Sequence, residues 1–164
     1  MLKRSEKREK YCNLIYTTIL KDIITPIAGN NTTYLSELLE IGKKLLGDKF
    51  KGVYPSDKIP KLNELSPYAI LNLDTSREKG SHWVAIAKKD NNTYLYDSFG
   101  RRDTQIIPNL RFSGNGKIIN TDDDQEQKVT EYDCGARCIA WLVFFDKWGA
   151  DDAMLILKKN TVFF

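Results

Sequence analysis

Between Cys134 and Trp148 the chain holds Ala136, Ile139, Ala140, Leu142, Val143 and Phe144, a helical run that is apolar on most of its faces. A helix of that kind cannot lie on a surface and has to be enclosed by other elements. Three strand candidates lie upstream, at Tyr68–Leu73, His82–Lys88 and Thr93–Asp97, and Lys117–Asn120 is a fourth. The second and third are joined by the turn-forming Asp90-Asn91-Asn92. Ahead of them, residues 5–25 carry Tyr11, Leu14, Ile15, Thr18, Ile19 and Ile23 at helical spacing, and Pro26 is expected to stop the helix. A second helix is expected from Thr33 to Leu46, buried through Leu35, Leu38, Leu39, Leu45 and Leu46, with Gly47 at its C-cap. Phe50 to Pro67, with Pro55, Pro60 and Pro67, reads as an irregular connection, and a last short helix is expected over Asp151–Lys158. Helices first, strands in the middle and a buried helix after them indicate an α+β domain.

The 164 residues allow one compact domain with its own core and are few for two. We expect residues 1–48 to form a helical region and 49–164 the rest of that single domain. A net charge of +3, from 25 basic against 22 acidic residues, is too small to imply nucleic-acid binding from the total alone. No apolar run has the length of a membrane span, and the charged N-terminus lacks a signal peptide's apolar segment, so the expectation is no membrane and no secretion. Cys12, Cys134 and Cys138 are an odd count without framework spacing, which favours reduced thiols.

The chemistry-bearing residues sit at the ends of these elements. His82, the one histidine, heads a strand, Asp97 closes another, and Cys134 opens the apolar helix. A thiol nucleophile needs a base, and the base needs a group that fixes its tautomer. A helix start supplies backbone N–H groups and about half a positive charge, which stabilise a thiolate. Gly135 suits a backbone that approaches substrate closely. Gln127, seven residues before Cys134, can offer an uncharged amide to a developing oxyanion, and Gln125 competes for that role. Each residue also has a plain reading, with His82 as a half-buried strand residue, Cys134 as a small core hydrophobe and Gln127 as a loop glutamine. The order His, Asp, Cys, each at an element boundary, favours catalysis. Trp83 either shields the imidazole and lines a narrow cleft or alternates into the core. A metal site from His82, Cys134 and Cys138 lacks a fourth ligand, so Cys138 and Cys12 are read as core, and no metal or cofactor is expected.

Phe50-Lys51-Gly52-Val53-Tyr54, Ala69-Ile70-Leu71-Asn72, Glu78-Lys79-Gly80-Ser81-His82-Trp83-Val84-Ala85-Ile86-Ala87 and Tyr94-Leu95-Tyr96-Asp97-Ser98-Phe99-Gly100 occur in this order. Together with a Gln seven residues before Cys-Gly, they resemble the adenain family, the maturation proteases of adenoviruses, and its relatives in virophages and polinton-type elements. Tyr132-Asp133-Cys134-Gly135 is also similar to the ubiquitin-like-protein proteases, which share the fold core. The resemblance implies a papain-like cysteine peptidase fold, with a central mixed or antiparallel sheet packed against the helix of the nucleophile. It implies His82, Asp97 and Cys134 as triad, Gln127 in the oxyanion hole, Trp83 and Gly135 against substrate, and cleavage of viral capsid or precursor proteins after small residues such as glycine. It places the protein in the virion and the host cytoplasm, as a monomer, with DNA or a peptide as a candidate activator. The alternatives are a peptidase that deconjugates ubiquitin-like proteins, or an inactive binding module with the same fold.

The chain departs from the adenain pattern in three places. The first forty-five or so residues have no evident counterpart, the chain ends thirty residues after Cys134, and the stretch around Arg111–Lys117 has no cysteine to tether an activating peptide. The N-terminal helices are expected to cover the surface that adenain covers with its C-terminal helices. The basic start, Lys3, Arg4, Lys7, Arg8 and Lys10, is either a DNA contact or a solvated helix end. The acidic run Asp122–Asp124 either guides a basic substrate or is a solvated loop.

Overall fold

The computed structural model describes residues 3–28, 35–55, 58–72, 82–98, 117–120 and 134–156. Helix α1 (Arg4–Thr18) runs into a π-helical turn over Ile19–Ile24, and α2 (Thr25–Ala28) continues from it. Helix α3 (Leu35–Leu46) ends at Gly47, whose φ of +62° is the left-handed conformation that closes a helix at low cost to glycine. Five strands follow: β1 (Phe50–Pro55), β2 (Tyr68–Asn72), β3 (Trp83–Lys89), β4 (Asn92–Tyr96) and β5 (Ile118–Asn120). Helix α4 (Cys134–Trp148) and the short α5 (Ala150–Ala153) complete the described elements.

The strands lie in one sheet in chain order. The β2–β3 and β3–β4 pairs are antiparallel, whereas β1 joins β2 and β5 joins β4 in parallel. The fold is therefore α+β around a mixed sheet. Alternation along the strands divides the side chains between two faces. Tyr68, Ile70, Trp83, Ala85, Ala87, Tyr94 and Tyr96 face the helices, in one cluster with Tyr16, Leu38, Ile139 and Trp141. Ala69, Leu71, Val84, Ile86 and Leu95 face the opposite way and are closed over by Leu62 and Ile59 from the segment after β1. With both faces covered, β2, β3 and β4 read as nearly continuous apolar runs. Among the described residues, no helix is long and apolar enough to cross a membrane.

Several expectations need correction. Phe50–Pro55 is a strand, not an irregular connection. Pro55 ends it, and a register shift between Phe50 and Gly52, with Gly52 at φ +143°, hides the alternation. Pro26 does not stop the first helical segment. It follows a turn in which the Thr25 N–H reaches the Leu20 carbonyl, five residues back, and this wider winding leaves room for the ring. The buried face at the N-terminus is only partly the expected one: Ile19 is buried and Ile15 packs against the core, but the rest of the face is displaced. Cys12, Asn13, Tyr16, Ile19, Leu20 and Ile24 are buried, whereas Tyr11, Leu14, Thr18 and Ile23 are exposed. On α3, Leu38 and Leu46 are buried as expected, but Ile41 takes the inward place assigned to Leu39, which is exposed. The proposed start of α3 at Thr33 and the end of the last helix at Lys158 lie outside the described residues.

Candidate active site

The direction of α4 is set by its aromatic side chains. Phe145 meets Tyr68, at the start of β2, and Tyr94, in the middle of β4, with ring centroids 5.8 and 5.4 Å apart. One turn earlier in the helix, Trp141 stacks on Tyr96 at 5.3 Å and 8° from parallel. Moving toward the N-terminus of α4 is therefore moving toward the end of β4. Cys134 lies seven residues before Trp141, about 10 Å along the axis at a rise of 1.5 Å per residue. That is past Tyr96, at the end of the sheet where β4 finishes and β3 begins.

His82 and Asp97 are the residues at that end. Each stands one position outside its strand, His82 before Trp83 and Asp97 after Tyr96. The register pairs Ala85 with Tyr96, so Asp97, just past Tyr96, comes to the beginning of β3, where His82 precedes Trp83. The His82 Nε2–H donates to Asp97 Oδ1 across 2.6 Å. Both side chains are buried, with 7% and 1% of their surface exposed. A carboxylate in so enclosed a place makes a bond of charge-assisted length and fixes the ring's tautomer and orientation. With Nε2 bonded to Asp97, a hydrogen bond of the ring to any further group runs through Nδ1.

Cys134 is buried at the first position of α4, a 15-residue helix, with Gly135 buried beside it. At that position the backbone N–H groups of the first helical turn have no intrahelical acceptor. Cys12 and Cys138 are also free and buried, in α1 and in the second turn of α4. Burial pushes the Cys12 thiol up, with a further upward push from Asp152. Trp83 belongs to the same buried cluster as Cys134, on the face of β3 that meets α4.

The arrangement brings two of the sequence-selected residues into contact, His82 and Asp97, and heads the helix at their end of the sheet with a third, Cys134. Gln127 and its competitor Gln125 lie outside the described residues, as do Asp122–Asp124. Of the basic start, Lys3, Arg4, Lys7 and Lys10 are exposed, while Arg8 is engaged by Asp152. Three further residues at this end escaped sequence reasoning. Asn72 closes β2 opposite Trp83 and is buried, Ser98 follows Asp97 and is fully buried, and Tyr96 packs between α1 and α4. Asn72 had a visible signal, a polar residue closing the apolar run Ala69-Ile70-Leu71. Tyr96 had none, because its partners come from remote parts of the chain. No protein-family model matches the chain, and no curated protein is significantly similar to it.

Proposed function

We propose that the protein is a cysteine endopeptidase that matures viral precursor proteins, with Cys134 as nucleophile, His82 as base and Asp97 as the group that orients the base. The observation that carries this reading is the buried 2.6 Å contact between His82 Nε2 and Asp97 Oδ1, at the sheet end toward which the helix headed by Cys134 points. A carboxylate spent on a buried histidine at a strand terminus is a costly arrangement for packing alone. It is the arrangement acyl transfer needs. The α+β architecture, with a mixed sheet against the helix of the nucleophile, agrees with the papain-like fold that the resemblance to adenain implies.

In the reaction the Cys134 proton passes to His82 Nδ1, and the sulfur attacks the scissile carbonyl. The oxyanion formed is met by backbone N–H groups at the start of α4 and by the amide of Gln127. The imidazolium then gives its proton to the departing amine, the C–N bond breaks, and a thioester remains. His82 next takes a proton from water, whose oxygen attacks the thioester and releases the carboxylic acid and the thiol. Asp97 stays ionised throughout and steadies the imidazolium.

Capsid or other virion precursors, cut after small residues such as glycine, are the substrate class this reading carries over from adenain. The sites of action are then the virion and the host cytoplasm, with the protein working as a monomer and DNA or a peptide as activator. The Tyr132-Asp133-Cys134-Gly135 wording favours a second substrate class, conjugates of ubiquitin-like proteins, served by the same chemistry. The deciding experiment incubates the protein with the capsid precursors of its own genome and, in parallel, with a ubiquitin-like conjugate, and sequences the new termini. New termini in the precursors that are absent with Cys134→Ala support the first class, and release of the conjugated protein alone supports the second. Binding without any cleavage would return the chain to the class of scaffold modules.

A further inference from the structure

Helix α1 meets the end of β4 at Tyr16. Tyr16, 1% exposed, and Tyr96, fully buried, bring their hydroxyl oxygens to 2.8 Å, and their rings meet edge to face at 6.4 Å. The Tyr96 ring is also stacked by Trp141. Tyr96 is thus held between the N-terminal helix and the helix that begins with Cys134, and the residue after it is Asp97. Rotation of Tyr96 about the backbone would turn the Asp97 carboxylate away from His82. A hydrogen bond between two buried hydroxyls is directional where ring packing is not, so it adds orientation to the contact.

We propose that Tyr16 is a positioning residue: its hydroxyl, bonded to that of Tyr96, fixes the end of β4 and with it the aim of Asp97 Oδ1 at His82 Nε2. The proposal rests on the catalytic reading of His82 and Asp97. It gives the N-terminal helices a part in the chemistry, since activity then depends on α1 being docked.

The test is made on the full chain with Tyr16→Phe. Because the protein has one histidine, its imidazole N–H gives a single low-field proton resonance, and the exchange of that proton with solvent reports the hydrogen bond to Asp97. Loss of one buried hydroxyl contact is expected to speed that exchange about tenfold. On a precursor substrate kcat should fall by a comparable factor with KM unchanged, the signature of an effect on the chemical step. Tyr96→Phe should do the same. If Tyr16→Phe does not fold, the double variant Tyr16→Phe/Tyr96→Phe removes both hydroxyls of the pair and serves for the same measurement. Exchange and kcat equal to the parent protein, even with a lower denaturation midpoint, would make the pair a packing feature and overturn the proposal. Failure of the catalytic reading looks different: Cys134→Ala would still cleave, while the imidazole N–H measurement, which needs no substrate, would remain decisive for the tyrosine pair.

Discussion

Arg8 and Asp152, 144 positions apart, are joined by two hydrogen bonds, Nε to Oδ1 at 2.8 Å and the terminal nitrogen to Oδ2 at 2.7 Å. The bidentate geometry fastens α1 to α5, and the Asn13 amide adds a bond to the Leu155 carbonyl at 3.0 Å. Beneath these polar ties, Tyr16, Ile19, Leu20 and Ile24 enter the same core as Trp141. The N-terminal helices and the sheet share one interior.

Deletion of residues 1–46 should therefore give an insoluble or strongly destabilised product, although it removes none of the proposed catalytic groups. Each large apolar side chain withdrawn from that core is worth roughly 1.5–3 kcal/mol, and the α4 surface left behind would be exposed. Soluble yield and a urea midpoint measure the effect. A truncated protein that is soluble, monomeric and fully active would show that the helices serve a partner.

Iodoacetamide at a pH below about 8.5, the value for a free thiol, should modify Cys134 before the other two cysteines. Cys12 and Cys138 are 2% and 0% exposed, and burial holds the Cys12 thiol in its protonated form. Mass spectrometry of partly labelled protein reads the order. Equal labelling of all three would count against an activated thiolate.

Within the site, His82→Ala should be nearly as damaging as Cys134→Ala, because the chain has no second histidine to act as base. Asp97→Asn should be milder, since Asp97 orients the ring and takes no proton. Gln127→Ala should lower kcat by about 10²–10³ with little change in KM. That loss appearing in Gln125→Ala instead would move the oxyanion assignment.

Gly42→Ala should destabilise the protein by about 1–3 kcal/mol, the usual cost of overpacking, despite alanine's better helix propensity. A Cβ at Gly42 would sit 2.5 Å from Phe50 Cδ2, and Phe50 is fully buried and has nowhere to swing. A lowered denaturant midpoint with an unchanged slope is the expected result. An unchanged or raised midpoint would mean that α3 can move off β1 freely.

Stability should fall at alkaline pH through Tyr68. Burial pushes its hydroxyl up, aided by a 2.9 Å hydrogen bond to Asp146, so it stays protonated in the folded state where the unfolded chain would ionise. A group raised on folding contributes its full stability below its unfolded value, about pH 10 for tyrosine, and loses it as pH rises further. The denaturation midpoint should drop above pH 10, and the drop should be smaller in Tyr68→Phe. Parallel curves for the two proteins would assign the alkaline loss to other groups.

Local patterns determined α4, the Gly47 cap, the β3–β4 hairpin and the placing of His82 and Asp97 at strand ends. In each case the signal lies within about fifteen residues, because helix periodicity, strand alternation and turn chemistry act over that range. The tertiary structure decided what depends on partners far along the chain. The apolar stripe Tyr11, Leu14 and Ile23 has the periodicity of a buried face, yet the residues that enter the core include Asn13 and Tyr16. Their polar atoms can be buried because the Leu155 carbonyl and the Tyr96 hydroxyl meet them, 142 and 80 positions away. The π-helical turn at Ile19–Ile24 shifts the phase of the helix again, so a fixed period of 3.6 cannot follow it. Strand β1 needed β2 as a parallel neighbour, with a bulge at Gly52 that breaks the alternation. The meeting of His82 with Asp97 belongs to both levels: residue type and position were legible in the chain, but the 2.6 Å contact exists only because antiparallel pairing of β3 with β4 brings the start of one strand beside the end of the other.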